Sequence, residues 1–331
     1  MSKLAKLRSS PERFFADSRH GAVRAAGRAL VPTVFRHGLV MSVLEEPLEA
    51  LSRSRTPLIA SVAHRYERWK GDLGRALLRD GGHPTVSVIV AARNAEAWIE
   101  RSIDSLLSQT YPVFEILVVD DASGDSTAGT VESIAAHSGK VRLIRKSHQG
   151  GAAMARNVGL SAATGDYITF QDADDVSRPE RIERQLVALL REPRAVVCVC
   201  NSRRERPDGT PVLVNGRRFG KNVISMLFPR DPVFLRLGYM RDLRIGEDAE
   251  YYERIRAVFG EQREIHLFQT LYRQHFCTGS LLFSNGETTV GPSGDVTYVR
   301  SEDAQRDHQD MLARLDRIRD GALDPYVPFR P

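Results

Sequence analysis

Three cysteines in 331 residues are too few for a disulfide framework. Cys198 and Cys200, in AVVCVCN, are expected on the same side of one strand, and Cys277 stands alone. A zinc site would need more ligands at metal spacing, which leaves buried free thiols of a reducing compartment as the reading. No run approaches the roughly 20 apolar residues that span a bilayer. The opening MSKLAKLRSSPERFF is charged and lacks an apolar core, so a secreted chain is not expected. Two glycine cradles are missing as well. No GxGxxG follows the first expected strand, which disfavours a dinucleotide site, and no GxxxxGK(S/T) occurs, which excludes a P-loop.

What is present is the composition of an ordinary globular protein, 42% hydrophobic and 27% charged. The length suffices for one large domain or two smaller ones. The net charge of +5 is unevenly distributed. Residues 1–80 hold 15 of the 47 Lys and Arg but only 8 of the 42 Asp and Glu, leaving 32 against 34 for the remainder. The basic character therefore belongs to the first eighty residues. This argues against a nucleic-acid reader built around the main fold, and no nucleic-acid partner is expected.

Residues 1–80 are expected to form a basic helical extension, with Trp69, Leu73, Leu77 and Leu78 recurring on one helical face. Gly81, Gly82 and Pro84 then break the pattern. From Thr85 the character changes. VSVIVAA reads as a strand buried on both faces. A helix follows through Ile99, Ile103, Leu106 and Leu107, then strand EILVVD, helix TVESIAAH, strand KVRLIR, helix AAMARNVGLSAA and strand DYITFQ. Strand–helix alternation over about ninety residues predicts an α/β fold, a Rossmann-like, mostly parallel sheet flanked by helices. Ser177, Pro179 and Glu180 are expected to cap the next helix, whose buried face is Ile182, Leu186, Leu189 and Leu190. Residues 203–245 and 284–298, rich in Gly, Pro and polar residues, are expected as loops shaping a second substrate's site. The end of the chain, SEDAQRDHQDMLARLDRIRD, reads as an amphipathic helix with Met311, Leu315 and Ile318 on one face.

Ligands of parallel sheets bind beyond the carboxyl ends of the strands. Three such ends carry polar residues: Ala92-Arg93-Asn94, Asp120-Asp121, and the Asp172, Asp174, Asp175 group of FQDADDVSRPERI. Two carboxylates about 6 Å apart repel by roughly 3 kcal/mol at an effective dielectric near 20. A crowded set either takes up protons or binds a cation, and oxygen ligation by Asp suits Mg²⁺ or Mn²⁺, completed by substrate phosphate. Asp175 also reads as a turn acid that pairs with Arg178 or Arg181.

The stretches VSVIVAARNAEAWIERSIDSLLSQTYPVFEILVVDDASGDST and GGAAMARNVGLSAATGDYITFQDADD closely resemble family 2 glycosyltransferases with the GT-A fold, over about residues 85–280. The resemblance implies that Asp120 or Asp121 contacts the nucleotide base, with Ala92 and Asn94 bordering it. It maps the family's DxD onto Asp172-Ala173-Asp174, the first acid near ribose and metal and the second on the divalent cation. Arg156-Asn157 matches a recurrent family feature. The family's ED pair falls on RIGEDAEYYERI, making Asp248 the expected catalytic base with Glu247 in support. LYRQHFCTGSL resembles the family's Tyr-Arg-x-His stretch, which offers His275 as a third metal ligand and Arg273 near phosphate.

The activity so implied is inverting, metal-dependent transfer of a sugar from a nucleoside-diphosphate sugar, UDP by family frequency, to a hydroxyl of a glycan or lipid-linked acceptor in bacterial surface polysaccharide synthesis. Two other readings stay open. One is nucleotidyl transfer that makes a nucleotide sugar, although AARNAEAW stands where its Gly-rich basic loop belongs. The other is a retired glycan-binding protein on the same fold, although both acid motifs are present. KLAKLRSSPERFFADSR loosely resembles N-terminal segments of capsule and surface-polysaccharide enzymes. Its basic residues beside Phe14 and Phe15 suit an anionic membrane face or a polysaccharide-assembly partner. The expected organisation is thus 1–80 extension, 85–280 catalytic domain and 281–331 C-terminal loop and helix, in a cytoplasmic protein peripheral to the inner membrane face.

Overall fold

The computed structural model describes residues 83–277, 281–292 and 294–329. The expected extension over residues 1–80 lies outside them. The chain divides into two units, Met1–Gly71 and Asp72–Pro331, and every element described here belongs to the second.

Strand β1 (Val86–Ala92) is buried along its length because both of its faces are covered. Helix α1 (Ile99–Leu107) lays Ile99, Ile103 and Leu106 onto that core. Then come β2 (Glu115–Asp120), α2 (Thr127–His137), β3 (Val141–Arg145), α3 (Gly151–Ala162) and β4 (Tyr167–Asp172). These four strands pair in parallel in the order β3-β2-β1-β4, with β1 in register between Glu115–Asp120 and Tyr167–Asp172. Ala92 faces Asp120 across one ladder and Ala91 faces Asp172 across the other. Two strand spacings therefore separate the two acidic tips, about 10 Å.

The second half of the sheet is mixed. It consists of the two-residue β5 (Val176–Ser177), β6 (Val197–Glu205), β7 (Pro211–Val212), β8 (Phe219–Pro229) and β9 (Glu264–His275), in the order β4-β8-β6-β9-β5 with β7 on β6. β5 follows β4 after only three residues, yet lies four places from it in the order, paired with β9. The sheet must curl to allow this, and the curl carries the end of β9 to the acidic turn between β4 and β5.

Three local expectations are corrected. Helix α4 (Arg181–Arg191) starts after Glu180, and Ser177 lies instead in β5, its hydroxyl donating to Gln171 Oε1 (2.5 Å). The buried strand context offered that hydroxyl a better partner than the helix end. Cys198 and Cys200 are both buried but join different core clusters, because a register shift between them breaks the alternation of β6. Residues 203–245 are largely ordered elements: β7, β8 and helix α5 (Arg230–Leu237). Within β8 the run Ile224, Met226, Phe228 is fully interior, and that apolar run outweighs the surrounding polar residues.

Helix α6 (Glu247–Phe259) precedes β9, and residues 281–329 add α7 (Leu281–Ser284), the hairpin β10 (Gly286–Val290) and β11 (Val296–Arg300), and α8 (Glu302–Arg319). Of the expected face of α8, Leu315 and Ile318 are buried; the helix packs against α6. No helix among the described residues is long and apolar enough to cross a membrane.

Candidate active site

The loop after β1 is stitched to the loop after β2. Asn94 adopts a left-handed conformation (φ 48°), its N–H donates to Ser123 Oγ (3.0 Å), and its Oδ1 accepts from Gly124 N–H (2.9 Å). The Ala92 carbonyl accepts from Asp121 N–H (2.8 Å), which locks the two strand tips together.

The two acids ending β2 have different environments. Asp121 accepts from the N–H groups of Gly150 (2.9 Å) and Gly151 (2.7 Å) at the start of α3, and from Lys146 Nζ. Burial alone would raise its pKa, but Lys146 and those N–H groups outweigh it and hold the carboxyl below its usual value. Both of its oxygens are thereby engaged. Asp120 accepts only a long bond from Ser123 N–H (3.3 Å) at Oδ2, and its buried Oδ1 has no partner among the described residues. Of the pair, Asp120 is the acid with capacity for a ligand.

The acidic turn rests on a buried polar platform. Gln171 Nε2 donates to the Ser102 carbonyl (3.0 Å) and hydroxyl (2.8 Å), and Ser102 Oγ donates to the Asp172 carbonyl (3.2 Å). From β9, Tyr272 accepts at its hydroxyl from Asp172 N–H (3.0 Å), and His275 N–H donates to Asp175 Oδ1 (2.8 Å). Asp175 is thus the acid that ties the turn to the curled sheet edge, and neither Arg178 nor Arg181 is its hydrogen-bond partner there. Its carboxyl is pushed well above the usual range by burial and by Asp172 and Asp174. Burial, with Asp172 beside it, raises Asp174 to about 6. Among the described residues no cation forms an ion pair with this carboxyl.

Asp172 has a cation already. Arg156, buried on α3, donates from Nη2 to Asp172 Oδ1 (2.6 Å) and from Nη1 to Glu247 Oε1. It therefore joins the DxD turn to the first residue of α6 and does not stand free for phosphate. Gly246 makes that junction possible, with φ of 82° at the start of the helix, where a side chain would be strained. Glu247 is buried and Asp248 half-buried beside it, both at a helix N-terminus that favours negative charge. Burial raises both carboxyls, Arg156 opposes this, and the neighbouring acids add to it.

His275 lies where the curl brings it, its ring against Trp98 at 4.0 Å between centroids. Burial and Arg101 lower its pKa, so the ring is biased to the neutral form that binds metals. Asp172, Asp174 and His275 nevertheless do not form a ready-made metal cluster. Among the described residues no three His, Cys, Asp or Glu side chains are gathered closely enough to hold an ion. Ala173, between the two DxD acids, is buried. Arg273, from the same stretch, approaches Glu205 of β6 at 3.7 Å.

Sequence reasoning missed Gln171, Tyr272 and the role of Asn157. A glutamine inside an otherwise apolar strand, one residue before an acidic turn, was the available signal for the first. Tyr272 lies in the Tyr-Arg-x-His stretch, but its contact with Asp172 was not readable, because that partner is 100 residues away.

The strand ends, the acidic turn and the acids opening α6 belong to a GT-A type α/β domain. The crystal structure of S. aureus TarS 1-349 in complex with UDP-GlcNAc aligns with 71% of this chain and 70% of its own, at 21% identity and a TM-score of 0.52, so the fold is shared. Residues 87–241 match the family model Glycosyl transferase family 2. Among relatives, EpsE of Bacillus subtilis (strain 168) is 45% identical over 112 residues, 34% of this chain and 40% of EpsE. Chondroitin synthase of Pasteurella multocida (strain Pm70) is 28% identical over 178 residues, 54% of this chain and 16% of the synthase. The chain thus spans well under half the length of these curated relatives.

Proposed function

We propose that the chain transfers a sugar, with inversion, from a nucleoside-diphosphate sugar to a hydroxyl of a glycan or lipid-linked acceptor in surface polysaccharide synthesis. The observation that carries this is the junction at Arg156, where the DxD turn meets the acids opening α6. Donor and acceptor chemistry need such acids within one site. A UDP-sugar is the favoured donor, supported by the UDP-GlcNAc bound to TarS. The polysaccharide setting is supported by the chondroitin synthase among its relatives.

The unpartnered Asp120 Oδ1 receives a donor from the nucleotide base, with Ala92 and Asn94 lining its edge. The oxygen donors of Asp172 and Asp174 fit Mn²⁺ or Mg²⁺, with His275 as a further candidate ligand, because Asp174 is raised by burial and by the Asp172 charge, both of which a cation would offset. When bound, such an ion supplies positive charge for the departing diphosphate. Asp248 takes the proton of the acceptor hydroxyl as that oxygen attacks the anomeric carbon. Its raised pKa makes it a stronger base than an exposed aspartate. Glu247, held by Arg156, fixes the start of α6 so that Asp248 faces the acceptor. The domain limits 1–80, 85–280 and 281–331 accompany this reading, as does a cytoplasmic location at the inner membrane face with the basic segment as its contact.

The test is a screen of UDP-, GDP- and dTDP-sugars with Mn²⁺ or Mg²⁺, reading nucleotide release with and without oligosaccharide and lipid-phosphate acceptors. Acceptor-stimulated release from one nucleotide class is expected. Formation of a nucleotide sugar from a sugar phosphate, or binding without turnover, would overturn the proposal.

A further inference from the structure

Arg156 and Asn157 are neighbours on α3, both buried, and they hold opposite ends of one loop. Asn157 makes two bonds to a single residue: Nδ2 donates to the Met240 carbonyl (2.9 Å), and Oδ1 accepts from Met240 N–H (2.8 Å). Seven residues further along, Arg156 holds Glu247, and its other terminal nitrogen holds Asp172. The segment between, Arg241 to Gly246, forms no helix or strand and leads directly into Glu247 and Asp248. Backbone of this kind has little internal hydrogen bonding to set its position, so its anchors decide where it lies.

The helix that provides the anchors is itself immobilised on the sheet. The N–H groups of Gly150 and Gly151 hold Asp121 of the β2 tip. Gly159 packs so closely on Ile89 of β1 that a Cβ there would collide with it. The strands bearing the donor-side acids and the ends of the loop are therefore fixed to one rigid element. A guanidinium suits the Arg156 position because its planar fork can serve two carboxylates at once, which an ammonium cannot do with the same geometry. An amide suits position 157 because one side chain must donate and accept together.

We infer that Arg156-Asn157 is a two-point clamp that positions loop 240–247, and with it Asp248, against the donor acids. This rests on the proposed transferase function and assigns both residues a positioning role, one that substrate contact does not require. Weakening the clamp costs acceptor use while leaving nucleotide binding in place, because Asp120 and the β1–β2 loop are held independently of loop 240–247.

The test uses the full chain carrying Asn157→Ala and, separately, Arg156→Lys. Three readouts are taken: amide hydrogen exchange of residues 240–248, calorimetric binding of UDP with Mn²⁺, and transfer kinetics with an acceptor from the screen above. Exchange in 240–248 should rise at least about tenfold in both variants while the β1 and β2 amides stay protected. In Asn157→Ala the UDP Kd should stay within about threefold, whereas transfer kcat should fall on the order of 100-fold in both variants, the scale of a 1 Å misplacement. Unchanged exchange in the loop overturns the clamp. So does a parallel loss of UDP affinity and transfer in Asn157→Ala, which would mark a merely structural role. Should Asn157→Ala fail to fold, Arg156→Lys keeps the charge and still decides the clamp through loop exchange and kcat; its UDP affinity is not a criterion, because Arg156 also holds Asp172. Failure of the wild type to transfer any sugar would overturn the proposed function, and the exchange measurement would still decide the clamp.

Discussion

At the scale of single residues, chemistry in this site is set by how each carboxylate is solvated. Asp248 carries a raised pKa because burial dominates and Asp172 adds to it, with Arg156 opposing. As the proposed base, Asp248 acts only when ionised, so transfer should fall as pH drops through that pKa. The acid limb of kcat/KM should therefore lie above the ordinary aspartate value of 3.8. Asp248→Asn should lower kcat by about 10²- to 10⁴-fold, the usual share of a general base, and leave UDP binding intact. Wild-type turnover in that variant would remove Asp248 from the mechanism. Asp121 behaves oppositely. Its folded pKa is depressed despite burial, so it adds stability above about pH 3.8 that is lost as pH falls through the depressed value. Asp121→Asn should flatten that acid-side loss in urea titrations run at several pH values, and reduce stability at pH 7 by about 2 kcal/mol. An unchanged acid slope would mean that Asp121 is not the acid responsible.

At the scale of elements, α6 joins the site to the end of the chain. Arg254 and Glu250 form a fully buried pair on its inner face. Arg254 also donates to the carbonyls of Leu237 (2.7 Å), Tyr239 (2.8 Å) and Pro325 (2.9 Å). The C-terminal segment is further held where Val327 bridges Gly238 and Phe329 meets the Tyr239 ring. Arg254→Met leaves a buried glutamate and three carbonyls without their partner. It should cost about 3–5 kcal/mol and lower Tm by roughly 10 °C, measured by calorimetry. A shift under a degree or two would show that water replaces the guanidinium. The strands and helices through β4 were legible in the sequence, since each repeats its apolar residues at its own period. β8 was not, because a buried strand among glycine-, proline- and arginine-rich flanks resembles loop composition. The β5 strand was hidden for another reason. Two residues carry no period, and only β9 makes them a strand.

At the scale of the whole molecule, the curl of the sheet turns a row of strand tips into a site. Without it β9 would end far from β4, and neither Tyr272 nor His275 would meet the acidic turn. The negative charge gathered there predicts that chelation should weaken UDP binding at least about tenfold while the Tm of the nucleotide-free protein stays the same. Asp174→Ala should reproduce the weakened binding without chelator. Equal UDP affinity with and without Mn²⁺ would remove the ion from the proposal. The acids at two strand ends, the missing glycine cradles and the family resemblance were all present in the sequence, because motif chemistry and periodicity are local properties. The choice of Asp120 over Asp121 as the acid open to a ligand was made by the tertiary structure, as was the pairing of Arg156 with Glu247 across 91 residues. Those facts depend on which groups exclude water from which others, and on contacts between segments far apart in the chain. A carboxylate's burial and partners exist only once the sheet has curled around it.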